Sequence, residues 1–212
     1  MKNLVQSIKN LVFSQRCPIC NKEVSSEHYL CDSCYFVLRK KGKLKNQGDY
    51  YYCFYYDNDV KRLITDFKLK NRKNLGKEIA SLIRKNLLFL INDKKIDLVI
   101  PVPISKKRML ERGFNQVEIL LDCCKVKYQK IYREKDTEHM YKFLNPEERE
   151  RNIKNVFRNR NLDLDGKNLL IVDDIVTTGA TIKEIVKELR KRSTPKEIYV
   201  FSVAVSRVFK IG

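Results

Sequence analysis

Two adjacent carboxylates, Asp173 and Asp174, follow the apolar run Leu169-Leu170-Ile171-Val172 and precede the turn Thr177-Thr178-Gly179-Ala180-Thr181. Four apolar residues in succession read as a buried parallel strand that ends at the carboxylates. The small, hydroxyl-rich turn leads into a helical pattern carrying Ile182, Ile185, Val186 and Leu189. A turn at a helix start offers backbone N–H groups and the positive end of the helix dipole, which suits a phosphate. Threonine hydroxyls add donors. Paired carboxylates beside such a site suit the vicinal hydroxyls of a ribose. The constellation describes a pocket for a ribose 5-phosphate, with Asp173 and Asp174 as the catalytic pair. The bland alternative is a generic strand–turn–helix unit.

A second constellation is made of sulfur. Cys17-Pro18-Ile19-Cys20 and Cys31-Asp32-Ser33-Cys34 form two Cys-x-x-Cys knuckles separated by ten residues. Their four thiolates can converge tetrahedrally on one Zn2+. A closed four-thiolate shell leaves no position for water, so the metal is expected to be structural. His28 lies between the knuckles and could replace one cysteine; a redox pair is the other alternative. Cys53, Cys123 and Cys124 read as buried free thiols.

Cations form a third group. Lys106, Lys107, Arg108 and Arg112 follow Pro101-Val102-Pro103, a proline-stiffened loop leaving a buried strand that begins at Asp97. They could balance the charge of a departing pyrophosphate, or simply be solvated. Lys61, Arg62, Lys68, Lys70, Arg72 and Lys73 form the densest basic run, just after the aromatic strand Tyr50–Tyr56. Cations with aromatics suit a single-stranded nucleic acid, although aromatics on a strand more often fill a core.

These residues need a frame. Helical periodicity is expected over 2–13 (Leu4, Ile8, Leu11, Val12), 60–67, 75–91 and 116–124. Residues 133–161 are charged and poor in apolar side chains. Glu197 to Val205 reads as a strand closing the sheet. Strand–helix alternation implies a mainly parallel sheet with helices on both faces. Two units are expected: 1–45, an N-terminal helix and four-Cys zinc module, and 46–212, the α/β domain.

The run from Leu169 to Thr181 resembles the signature of type I phosphoribosyltransferases, which bind phosphoribosyl pyrophosphate (PRPP). That resemblance implies an α/β fold of the type I phosphoribosyltransferase kind with a small N-terminal zinc-finger module. It also implies PRPP binding at Asp173, Asp174, Thr177, Thr178, Gly179, Ala180 and Thr181, with Mg2+ accompanying the PRPP. A wider set occurs in order: the four cysteines, Asp66-Phe67-Lys68, Pro101-Val102-Pro103, Glu111-Arg112-Gly113-Phe114-Asn115-Gln116, Arg151-Asn152 with Phe157, and Asp-Asp-Thr-Thr-Gly-Ala-Thr. This set resembles the ComF family of competence proteins (ComFC, amidophosphoribosyltransferase-like). The resemblance implies DNA uptake in natural transformation, with single-stranded DNA handled in the cytoplasm. Implied partners are PRPP, single-stranded DNA, a ComFA-type helicase and DNA-processing proteins. One departure is His139-Met140, which stands where the family's Thr-x-x-Gln segment places Gln, between Thr137 and Leu144.

Bulk composition narrows the classes. At 212 residues and 43% hydrophobic, the chain can bury a core of ordinary size. The run Leu87–Ile91 is far too short to span a membrane. Met1-Lys2-Asn3 opens no secretory signal, so a cytoplasmic protein is expected, with recruitment to the membrane's inner face as a further expectation. A formal charge of +18 suits a polyanionic partner. Met1 and Lys2 supply no N-terminal cysteine nucleophile for a glutamine amidotransferase. Three functions remain open: a nucleic-acid-handling competence factor with a PRPP site, an active phosphoribosyltransferase, and a PRPP-sensing regulator.

Overall fold

The computed structural model of the chain describes residues 15–25, 27–69, 72–133, 156–159 and 162–209. The anticipated helix over 2–13, Lys70, the Thr137–Leu144 segment and Arg151-Asn152 lie outside the described residues. In chain order the elements are β1 (Gln15–Arg16), β2 (Glu23–Val24), α1 (Asp32–Lys41), β3 (Lys45–Gln47), β4 (Tyr50–Tyr55), α2 (Asn58–Phe67), α3 (Leu75–Asp93), β5 (Leu98–Pro101), α4 (Lys106–Arg112), α5 (Gln116–Cys124), β6 (Tyr132–Arg133), β7 (Phe157–Arg158), β8 (Asn168–Val176), α6 (Ala180–Leu189) and β9 (Glu197–Val205).

One five-stranded sheet runs β3-β4-β9-β8-β5; β3 is antiparallel to β4 and the other neighbours are parallel. Strand β9, expected to close the sheet, is its centre, paired to β4 on one side and β8 on the other. Its run from Ile198 to Val205 is almost wholly buried, as a strand covered on both faces requires. Strand β8 also departs from expectation. It does not end at the carboxylates but continues through Asp173 and Asp174 to Val176, because Ile175 and Val176 keep pairing with Ala204 and Val205. On its other side the ladder with β5 stops at Pro101 opposite Val172. Asp173 is therefore the first residue of β8 beyond the end of β5, where the sheet opens.

Side chains alternate across the sheet as a strand demands. Leu170 and Val172 join the layer built by α2, α3 and α5, while Leu169 and Ile171 join the layer under α6. The helices form where apolar spacing and caps agree. Asp57 accepts from the Val60 N–H to start α2, and Asn115 accepts from the Val117 N–H to start α5. Gly76 in α3 allows close approach: a Cβ there would meet Ile119 at 2.7 Å and the Phe67 ring at 2.9 Å.

The cysteine module does not stand apart. Cys17, Tyr29, Leu30 and Leu38 belong to the same buried cluster as Phe54, Leu63, Phe67 and Phe201. A single carboxylate clamps the module to α3. Glu78 accepts from the Tyr29 N–H at 2.9 Å and the Leu30 N–H at 2.8 Å, with His28 Nδ1 3.5 Å away. Among the described residues no helix is long and apolar enough to cross a membrane.

Candidate functional site

A cleft of about 340 Å³ lies at the carboxyl ends of β5 and β8. In parallel α/β sheets this is where ligands sit. One wall is the segment from Asp173 to Ile182. Gly179 adopts the left-handed conformation (φ +75°) as the residue preceding α6, and Thr178 Oγ1 accepts from the Ala180 N–H at 3.4 Å. A Cβ on Gly179 would also crowd the Phe209 ring at 3.1 Å. The start of α6, with the partial positive charge of its remaining first-turn N–H groups, thus lies in the cleft wall. Thr177, Thr178, Ala180 and Thr181 line the same wall.

The opposite wall is cationic. The cations after Pro103 do not form a loop. Ser105 accepts from the Arg108 N–H and Gly113 closes the last turn in the left-handed conformation, so 106–112 is the short helix α4. Helical geometry puts Arg108 and Arg112, four residues apart, on one face. Both line the cleft, together with Val102, Pro103 and Ile104; Lys106 and Lys107 are not among its lining residues. Burial and the neighbouring Arg108 both lower the Arg112 guanidinium. A cationic end so crowded favours an anion.

The carboxylates sit between these walls in unequal states. Burial pushes the Asp173 carboxyl up to about 8, and the charge on Asp174 pushes the same way. Burial also opposes ionisation of Asp174, but the Lys68 ammonium, its hydrogen bond and then Arg112 outweigh it and hold that carboxyl below its ordinary range. Lys68 Nζ donates to Asp174 Oδ2 at 2.8 Å. Asp173 Oδ1 accepts from the Asp174 N–H at 2.8 Å. Lys68, a member of the basic run, is part of the cleft. Tyr56, Gln116 and Arg133 line it as well and carried no local signal of it, although Lys68 and Gln116 fall in the quoted Asp-Phe-Lys and Arg-Gly-Phe-Asn-Gln elements.

Residues 69–205, most of the chain, match the phosphoribosyl transferase domain. The chain belongs to this family. Within this phosphoribosyltransferase family it is of the ComFC type: it is 26% identical over 196 residues to the competence protein ComFC of Bacillus subtilis strain 168, covering 88% of this chain and 76% of that protein. It is 28% identical over 182 residues to the DNA utilization protein YhgH of Escherichia coli strain K12, covering 82% and 77%. The ComFC protein of Streptococcus pneumoniae is 29% identical over 190 residues, covering 89% and 80%. Among solved structures, a purine phosphoribosyltransferase from Pyrococcus horikoshii aligns at 20% identity and a TM-score of 0.39 over 63% of this chain and 78% of that one.

The chain also carries a donor set for a metal. Cys17, Cys20, Cys31 and Cys34 present sulfurs that all lie within 4.8 Å of one another. A tetrahedral Zn2+–thiolate site separates its sulfurs by about 3.8 Å, so the set fits a single soft ion. The knuckle turns are made by Asn21 N–H to Cys17 O at 2.9 Å and Tyr35 N–H to Cys31 O at 2.9 Å. His28 is turned toward Glu78.

The basic run anticipated as one nucleic-acid surface is divided by the fold. Arg62 donates to the Ile19 carbonyl at 2.8 Å, bracing the first knuckle. Arg72 lies over the Tyr29 ring at 5.2 Å and 3.6 Å from Asp66. Lys68 faces Asp174. Lys61 and Lys73 remain at the surface. Of the aromatic strand, Tyr52, Cys53 and Phe54 are buried. Cys53 and Cys124 are buried free thiols, pushed by burial up to about 11 and about 12, whereas Cys123 is half-buried.

Proposed function

We propose that this chain is a competence-type protein that binds PRPP through its phosphoribosyltransferase domain and handles single-stranded DNA in the cytoplasm. One observation supports the PRPP reading: Asp173 and Asp174 line one cleft with the start of α6 and with Arg108 and Arg112. The 5-phosphate takes the N–H groups and hydroxyls of Thr177 to Thr181. The ribose hydroxyls donate to Asp173 and Asp174. The pyrophosphate faces Arg108 and Arg112, with Lys106 and Lys107 adding charge at the rim. Carboxylate and diphosphate oxygens are hard donors of the kind Mg2+ takes, and a bound Mg2+ would neutralise diphosphate charge. The four cysteines hold a structural Zn2+ in a module over residues 1–45, ahead of the domain over 46–212.

The names of the relatives, competence and DNA utilization, support the DNA context. The charge of +18 supports a polyanionic partner. Lys61, Lys73, Arg39 and Lys40 in the last turn of α1, and Lys43 just beyond it, are exposed. Binding would be electrostatic, with little sequence preference and strong salt dependence. A ComFA-type helicase and DNA-processing proteins are the partners this reading implies.

A second reading, an active phosphoribosyltransferase, is favoured by the state of the carboxylates. Asp174, kept ionised by Lys68, would stabilise positive charge growing on the ribose as the pyrophosphate leaves. Asp173 would orient the hydroxyls. Pyrophosphate release from PRPP with Mg2+ separates the readings, with purines, pyrimidines and single-stranded DNA offered as acceptors. Release lost in Asp173→Ala/Asp174→Ala establishes the transferase. PRPP binding without release by the native chain favours the binding role. Undiminished PRPP affinity in the double variant refutes the pocket.

A further inference from the structure

The cleft contains a donor with nothing to donate to. Gln116 opens α5, lines the cleft and is 1% exposed. Its side-chain Nε2 has no hydrogen-bond partner. Buried polar groups almost always have one, and an unmade bond in a buried amide costs free energy. The neighbouring Asn115, equally buried, shows the ordinary case. Its Nδ2 donates to the Val102 carbonyl at 3.1 Å and to Glu118 Oε1 at 3.2 Å, and its Oδ1 accepts from the Val117 N–H at 3.0 Å. Asn115 is used up in building the wall; Gln116, in the same wall, keeps an amide nitrogen that is shielded from water and unpaired.

We infer that Gln116 is a ligand-contacting, specificity-determining residue whose Nε2 donates to an oxygen of the diphosphate group of the bound ligand. The inference rests on the PRPP reading of the cleft. Its chemistry follows from a division of donors and acceptors. Asp173 and Asp174 are acceptors suited to hydroxyl hydrogens. Arg108, Arg112 and Gln116 offer donors. An atom that meets this second group must be an acceptor, and a diphosphate presents acceptor oxygens in quantity. A neutral amide adds a bond without adding to the repulsion between Arg108 and Arg112. A ligand lacking the diphosphate, such as ribose 5-phosphate, would leave Gln116 unpaired. The residue therefore selects ligands that still carry their diphosphate.

The test is calorimetric titration of the full chain with PRPP, inorganic pyrophosphate and ribose 5-phosphate, each with Mg2+. Gln116→Met keeps the volume and removes the donor; Gln116→Glu keeps the shape and adds negative charge. Losing one hydrogen bond to a charged acceptor should weaken PRPP and pyrophosphate about ten- to a hundred-fold in Gln116→Met, and more in Gln116→Glu. Ribose 5-phosphate affinity should be unchanged in both, which also reports that the variants are folded. Unchanged pyrophosphate affinity, or an equal loss for ribose 5-phosphate, overturns the assignment while leaving the PRPP reading intact. A native chain that binds neither PRPP nor pyrophosphate removes that reading and this assignment with it. Should Gln116→Met not fold, Gln116→Glu alone decides by the same comparison.

Discussion

Replacing Glu78 tests how the cysteine module is joined to the sheet domain. Its carboxylate accepts two backbone N–H bonds, from Tyr29 at 2.9 Å and Leu30 at 2.8 Å, and its side chain is 15% exposed. Both bonds are charge-assisted, and both donors lie between the two knuckles. In Glu78→Ala the acceptor vanishes and two N–H groups are left without it. An orphaned buried donor costs about 1–3 kcal/mol, and partial access of water puts each toward the lower end. The expected loss is therefore about 2–4 kcal/mol, a large share of the roughly 5–15 kcal/mol that holds a domain together. Glu78→Gln retains one acceptor oxygen and should lose about half as much. Urea unfolding of the metal-loaded chain is the assay: the midpoint should fall while the slope stays constant. Hydrogen exchange at Tyr29 and Leu30 should accelerate ahead of exchange in β8 and β9. A loss below about 0.5 kcal/mol for Glu78→Ala, the scale of ordinary surface changes, would refute the clamp.

The carboxylate pair predicts a pH dependence. Asp173 is raised in the fold to about 8 from an unfolded value near 4, so the native state keeps a proton that the unfolded state has released. Its contribution is complete below the unfolded value and is lost as pH rises through about 8. Urea stability measured between pH 5 and 8 should decline more steeply in the native chain than in Asp173→Asn; parallel profiles would contradict a protonated Asp173. The cysteine set predicts metal dependence: Cys17→Ser removes a buried thiol and should release the metal and loosen residues 15–41, with full stoichiometry by elemental analysis counting against four-thiolate ligation.

What could be read in advance follows from where each signal resides. Helix α5 matches its expected span because apolar spacing and the Asn115 cap both lie within ten residues. The apolar core of β8 is equally local. Helix α4 was hidden because none of its residues is buried, so it has no apolar period, although Ser105 and Gly113 bracket it in the manner of cap residues. The place of β9 depends on strand order, which no local pattern encodes; its run of residues buried on both faces was the available clue. Lys68 is separated from Asp174 by more than a hundred residues, and in one dimension it looks like a member of a charge run. Arg62 and Arg72 were disguised in the same way, since their partners Ile19 and Tyr29 belong to the cysteine module. The metal ligands were legible because Cys-x-x-Cys spacing carries its own geometry.

The central position of β9 shapes how a growing chain can fold. The cysteine module, α2 and α3 all precede β9 in the chain. Strands β4 and β8 are joined only through β9, which is translated after both. Until Glu197–Val205 appears, each carries a bare edge able to template wrong partners. A lesion in that ribbon does not trim the sheet; it splits it, parting the aromatic strand from the one that bears the carboxylates. Escape from aggregation thus waits on the pairing of β9 with β4, and a pairing over so long a stretch of chain is slow.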